Sequence, residues 1–141
     1  MNTDVLVISG SAAGLVAAMT AKSNNPGKKV VLVRKEAKVM IPCGIPYIFG
    51  SIGTSDKNIL PDGGLEKLGV EIHIAEIAAV NAQKKTAKTS AGEEIVYDKL
   101  IFATGSQPVV PKWLKGTELK NVFTILKNKE YLDGLQSQLA G

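Results

Sequence analysis

The chain has 141 residues, a formal net charge of +4 and a hydrophobic content of 45%. That length and composition suit one compact domain with a real core and exclude a disordered chain. One cysteine, Cys43, excludes an internal disulfide framework and a cysteine-rich zinc site.

The densest basic pairs, Lys28-Lys29 and Lys84-Lys85, have no aromatic residues interleaved with them. They read as solvated turns, so no nucleic-acid partner is expected. Val5 to Met19 is apolar enough to suggest a secretion signal, but Asp4 precedes it without a lysine or arginine, and glycine and serine interrupt it. No stretch approaches about 18 uninterrupted apolar residues, so no membrane span is expected and a cytoplasmic location is the default.

Asp4 to Ser9 is a short apolar run of the kind buried on both faces of a parallel sheet. Gly10 to Gly14 turns the chain, and alanine-rich Leu15 to Lys22 continues as a helix until Asn24-Asn25-Pro26-Gly27 stops it. Lys29 to Arg34 is the second strand of a right-handed βαβ unit, which places a ligand at the first turn. Cys43 to Ser51 opens another short helix, with Pro46 in its first turn. Leu65 to Leu68 is a brief helix ended by Gly69, and Val70 to Ile74 a third strand. Glu76 to Tyr97, broken at Gln83-Lys84 and at Ser90-Ala91-Gly92, reads as a three-stranded antiparallel meander. Leu100 to Ala103 returns to a buried strand, Thr104 to Pro111 is loop, and Asn128 to Leu139 a terminal helix.

The expected fold class is α/β: a Rossmann-like domain with a parallel sheet plus the three-stranded meander. Against G-x-G-x-x-G the window Ser9 to Gly14 matches only at its last glycine. Its small residues still leave room for a phosphate at a helix N-terminus, although a tight turn that binds nothing fits the same letters. After the second strand, where a carboxylate holding adenosine ribose hydroxyls is expected, stands Arg34-Lys35-Glu36. Glu36 reaching the ribose, a basic pair favouring a phosphorylated ribose, and a solvated basic turn all remain open. His73 alternates with Ile72 and Ile74 and is expected to face solvent or a polar neighbour, with no metal. Trp113 is expected to be a packing anchor, and Tyr47 suits either helix packing or a ligand contact.

Three segments in this order carry a resemblance: the small-residue turn, Pro42-Cys43-Gly44-Ile45-Pro46-Tyr47, and Tyr97 to Pro108 with its Ala103-Thr104-Gly105 loop. Together they resemble the FAD-dependent pyridine nucleotide–disulfide oxidoreductases. Within that family the match is to the single-cysteine branch of coenzyme A-disulfide reductases, persulfide reductases, and NADH oxidases and peroxidases. The resemblance implies FAD as cofactor and NADH or NADPH as electron donor. Gly10, Ser11, Ala12, Ala13 and Gly14 would contact the pyrophosphate, and Arg34, Lys35 and Glu36 would face the ribose. Ile77 would lie beside the adenine, Ala103, Thr104 and Gly105 would pass close to the cofactor, and Cys43 would be the redox sulfur beside the flavin.

Departures narrow the choice. Oxygen- and peroxide-reducing members carry a histidine where Ala12 stands, and the approach Val39-Met40-Ile41-Pro42 differs from that of coenzyme A-disulfide reductases. A small disulfide, a persulfide or a coenzyme A-type compound is the implied substrate. Residues 1–125 would be the N-terminal part of the FAD domain, with the meander at about 76–97, and 126–141 a helix and linker toward an NAD-binding domain. The resemblance implies a homodimer for a full-length enzyme and incomplete turnover by the isolated chain. Only a thiolate attacks sulfur, and the helix opening after Cys43 is expected to favour that form through its dipole. Two other readings compete: a stand-alone nucleotide-binding or redox-sensing module, and an NADP-binding Rossmann domain.

Overall fold

A computed structural model describes residues 1–139. Six strands form one sheet: β1 (Asn2–Ile8), β2 (Val30–Arg34), β3 (Glu71–Ile74), β4 (Ile77–Asn81), β5 (Thr86–Thr89) and β6 (Glu94–Phe102). Their spatial order is β3-β2-β1-β6-β5-β4. The β1–β2, β2–β3 and β1–β6 pairs are parallel, whereas β4–β5 and β5–β6 are antiparallel. The helices are α1 (Ala12–Asn24), α2 (Ile45–Ile48), α3 (Gly63–Leu68) and α4 (Lys129–Leu139). The expected α/β class holds.

β1 and β2 lack the polar alternation of a half-exposed strand because both of their faces are covered. Leu6, Ile8, Val31 and Val33 point to one face, where Ala87, Ile95 and Tyr97 of the meander pack on them. Val7, Val30 and Leu32 point to the other, against Ala18 of α1 and Leu65 of α3. The chain leaves α3 through Gly69 at φ 73°, a left-handed helix end that glycine adopts without a Cβ clash. At the start of α4 the Asn128 side-chain oxygen accepts the Tyr131 amide at 2.9 Å.

Boundaries differ from expectation in three places: α1 already begins at Ala12, inside the expected turn, α2 is shorter than the expected helix, and the strand after the meander is not separate. The third meander strand and the returning strand are a single element, β6, which pairs with β1 from Asn2↔Val96 to Ile8↔Phe102. Asp98 and Lys99 read as a break, yet both are exposed, and Asp98 is satisfied by the Lys85 ammonium at 2.6 Å. The far end of β6 is also less covered than expected, because Phe102 is exposed. Trp113 is no packing anchor among the described residues: it is 80% exposed, on a segment of turns and bends outside the three apolar clusters.

A third apolar cluster lies away from the sheet. Met40, Ile45, Ile48 and Leu132 are buried together, with Ile52, Ile59 and Tyr131 packed around them. It docks α4 onto the segment that carries Cys43.

Candidate functional site

The turn after β1 is tight for identifiable reasons. Ser9 is buried, and its hydroxyl accepts the Ser11 amide at 3.1 Å. A Cβ on Gly14 would lie 2.7 Å from Ser9 Cβ and 3.0 Å from the Ser9 carbonyl oxygen, so glycine is what lets α1 sit this close to β1. A Cβ on Gly10 would lie 2.7 Å from Arg34 Cδ and 2.9 Å from Val39 Cγ2. Ser11 makes no side-chain cap, and the first turn of α1 has no acidic residue. The first amides of α1 therefore lack a side-chain partner, at the end of the helix that favours an anion.

Beside this turn opens a cavity of about 490 Å³, within the ~300–1,000 Å³ span of small-ligand sites. Of the residues expected there, Gly10, Ser11, Arg34, Lys35, Glu36, Ile77, Thr104 and Gly105 line it. The wall also includes Ser9, Pro42, Glu76, Ser106 and Asn128. Ala12, Ala13 and Gly14 run away from it in α1, and Ala103 precedes the lining loop. Cys43 is not in the wall, but its neighbour Pro42 is, which puts the thiol one residue from the rim.

The Arg34–Lys35 pair is built neither as a free phosphate-binding pair nor as a solvated turn, whereas Glu36 lines the cavity. Arg34 is 5% exposed, and its guanidinium grips Asp62 with two hydrogen bonds of 2.6 Å. It also donates to the Ala37 carbonyl at 2.8 Å, while its buried Nε has no partner among the described residues. Lys35 meets Glu76 at 3.1 Å. Both cations of the pair thus already face a carboxylate. Sequence reasoning missed Asp62, which lies 28 residues from Arg34 in a stretch that reads only as a turn.

Cys43 is exposed, in a 3-10 turn spanning Pro42–Gly44. The Gly44 amide closes the turn on the Ile41 carbonyl at 3.0 Å. Buried Asn58 braces it: Nδ2 donates to the Ile41 carbonyl at 3.0 Å, and the Asn58 carbonyl accepts the Ile41 amide at 3.0 Å. A Cβ on Gly44 would lie 2.8 Å from Asn58 Cγ, so this side chain explains the glycine after the cysteine. The helix that follows corrects one expectation. α2 spans only four residues, too few peptide dipoles to act as a macrodipole on the sulfur.

Several charged groups lie where α4 meets the loop before α3. Lys129 Nζ reaches Asp133 at 2.6 Å and Asp56 at 3.1 Å, and Ser55 Oγ donates to the Asp133 carboxylate. The hydrogen bond to Asp133, then that to Asp56, raises the Lys129 pKa above its ordinary value. The bond from Lys129, then that from Ser55, lowers the Asp133 pKa. His73 meets Glu93 at 2.9 Å, the polar neighbour expected for it. No cluster of metal-ligating side chains occurs among the described residues, and no helix among them is long and apolar enough to cross a membrane.

Comparison with known proteins agrees with this architecture. The profile of the pyridine nucleotide-disulphide oxidoreductase family matches residues 3–140. The chain is similar to the NAD(P)H coenzyme A polysulfide/persulfide reductase of Pyrococcus horikoshii, 36% identical over 129 residues, covering 88% of this chain and 29% of that protein. It is similar to the NADH oxidase of Methanocaldococcus jannaschii, 29% identical over 130 residues, covering 85% of this chain and 29% of that protein. The solved structure of an NAD-dependent persulfide reductase from A. fulgidus superposes with a TM-score of 0.82 at 26% identity, over 99% of this chain and 28% of that one. The chain thus spans less than a third of the length of these relatives.

Proposed function

This chain belongs to the pyridine nucleotide-disulphide oxidoreductases, and we propose that it is the FAD-binding portion of an NAD(P)H-dependent disulfide or persulfide reductase with Cys43 as its reacting sulfur. One observation carries the reading. The N-terminus of α1, with no side-chain cap, and the Cys43 turn meet at the same cavity, whose wall includes both Ser11 and Pro42.

FAD is characteristic of the family, and the residues present suit it. The first turn of α1 carries no side-chain cap and no acidic residue, so its amides can meet a pyrophosphate without charge repulsion. Gly10, Ser11 and the first residues of α1 would hold the pyrophosphate. Glu36 would face the ribose and Ile77 the adenine, while Thr104 and Gly105 form the opposite wall. Bound there, FAD supplies two-electron exchange between a nicotinamide and sulfur.

The chain's own chemistry is at Cys43. Its thiolate attacks one sulfur of a small disulfide, forms a mixed disulfide and expels the other half as a thiolate. Two electrons and a proton, drawn from NAD(P)H in the whole reaction, then release the bound half as a thiol and restore the Cys43 thiolate. With a persulfide the attack takes up the terminal sulfur, and the same two electrons release it as sulfide. Exposure of Cys43 gives a substrate direct access. Ala12, at the family's histidine position, supports sulfur over oxygen as the acceptor. An NADP-type reading rested on Arg34 and Lys35, and each of these already faces a carboxylate.

The test is a titration of the purified chain with FAD, followed by flavin fluorescence, beside a Ser11→Asp variant that sets a negative charge at the start of α1. Saturable binding that this variant loses is expected. Absence of binding, or equal binding by the variant, contradicts the proposal.

A further inference from the structure

Helix α4 touches two parts of the proposed site at once. Asn128, which caps it, lines the cavity together with Leu126 and Lys127. Its body lies on the Cys43 segment, where Leu132 is fully buried with Met40, Ile45 and Ile48, residues that bracket the cysteine in sequence.

Polar ties refine this apolar docking. Gln136 Nε2 donates to the Ile48 carbonyl at 3.2 Å and to the Gly53 carbonyl at 2.8 Å. Those acceptors lie at the end of α2 and in the turn beyond it. A four-residue helix leaves its last carbonyls without intrahelical partners and is not stable by itself. The next turn along, Ser55–Asn58, is tied to α4 through Ser55 and Asp133. Its last residue, Asn58, braces the Cys43 turn from the other side.

We infer that Gln136 is a positioning residue for Cys43: by holding the Ile48 carbonyl at the end of α2 and the Gly53 carbonyl beyond it, it fixes the 3-10 turn that presents the thiol at the cavity rim. Leu132 supplies the docking of α4, whereas Gln136 sets the orientation of what is docked. This rests on the reading of Cys43 as the reacting sulfur, but its test does not.

The experiment uses the full chain and three variants. Gln136→Glu keeps shape and length but loses the amide donor. Gln136→Arg restores donors at similar reach, and Leu132→Ala weakens docking itself. Hydrogen exchange is followed at the Gly44 and Ile45 amides, which close the Cys43 turn on Ile41 and Pro42, and at the amides of β1 and β2. In Gln136→Glu, exchange at Gly44 and Ile45 is expected to quicken roughly tenfold, the size of one or two net hydrogen bonds. The sheet amides keep their rates, and Gln136→Arg returns the turn to near the parent rate. Leu132→Ala marks the contrasting pattern, in which α4 amides quicken as well. Unchanged exchange at the turn in Gln136→Glu overturns the inference. Equal quickening in turn and sheet also overturns it, because the residue then acts on global stability alone. A chain whose Cys43 never attacks a disulfide would defeat the proposed function and leave this result standing.

Discussion

Gly14 lies so close to Ser9 that a methyl group on it would sit 2.7 Å from Ser9 Cβ. This contact sets the distance between α1 and β1, and with it the direction in which the first amides of the helix point. Gly14→Ala is expected to destabilise the chain by about 1–3 kcal/mol, the usual cost of overpacking a close contact. Chemical denaturation reads the stability. An unchanged midpoint would show that the helix moves away without penalty.

Leu132 couples α4 to the Cys43 segment through packing. Leu132→Ala empties a fully buried site, at an expected cost of about 2–5 kcal/mol. The loss should appear first as faster exchange in α4, with β1 and β2 amides affected less. Equal losses everywhere would mean that α4 and the sheet unfold as one unit.

Arg34 and Asp62 test whether the basic corner is structural. Asp62→Asn leaves a buried guanidinium without its counter-charge, and the expected destabilisation is about 2–4 kcal/mol, reduced because Asp62 itself is partly exposed. Lys35→Met, at an exposed pair, is expected to change stability by under about 1 kcal/mol. Similar small effects from both would remove Arg34 from the structural role given to it.

The clamp between α4 and the Ser55–Asn58 turn has a definite pH dependence. Asp133 has a lowered pKa in the folded chain, so its contribution is present above its ordinary value of 3.8 and is lost as pH falls through the lowered one. Lys129 has a raised pKa, so its contribution is full below its ordinary value of 10.5 and is lost as pH rises through the raised one. The protection of α4 amides, taken relative to the intrinsic exchange rate at each pH, should therefore fall at both extremes, and Asp133→Asn should flatten the acid limb. An acid limb that persists in this variant would assign it to other carboxylates.

Much of this architecture was legible because it rests on local chemistry. The unbroken apolar letters of Val30 to Val33 could be satisfied only by a strand covered on both faces, and Gly69 marked a helix end that needs a positive φ. The continuity of β6 was hidden because Asp98 and Lys99 look like a turn until Lys85, 13 residues earlier, is placed beside Asp98. Gly10, Ser11, Thr104 and Gly105 of the cavity lining were readable from the glycine turn and the loop after β6, whereas Leu126 to Asn128 were not. What holds the Cys43 turn was not. Asn58 and Gln136 lie 17 and 88 residues from the carbonyls they bond, and nothing in their local sequence signals a partner. Asp62 was invisible for the same reason, and Trp113 looked like a core residue because an indole is large and apolar.

The most direct measurement of the central claim is the visible spectrum of the chain at saturating oxidised FAD, recorded anaerobically after Cys43 has been freed with a thiol reductant and that reductant removed, in the parent and in Cys43→Ser. A thiolate held against the flavin should donate charge to it and produce a long-wavelength band that the serine variant lacks. Saturable FAD binding with superimposable spectra would place the sulfur out of contact with the ring and contradict the account.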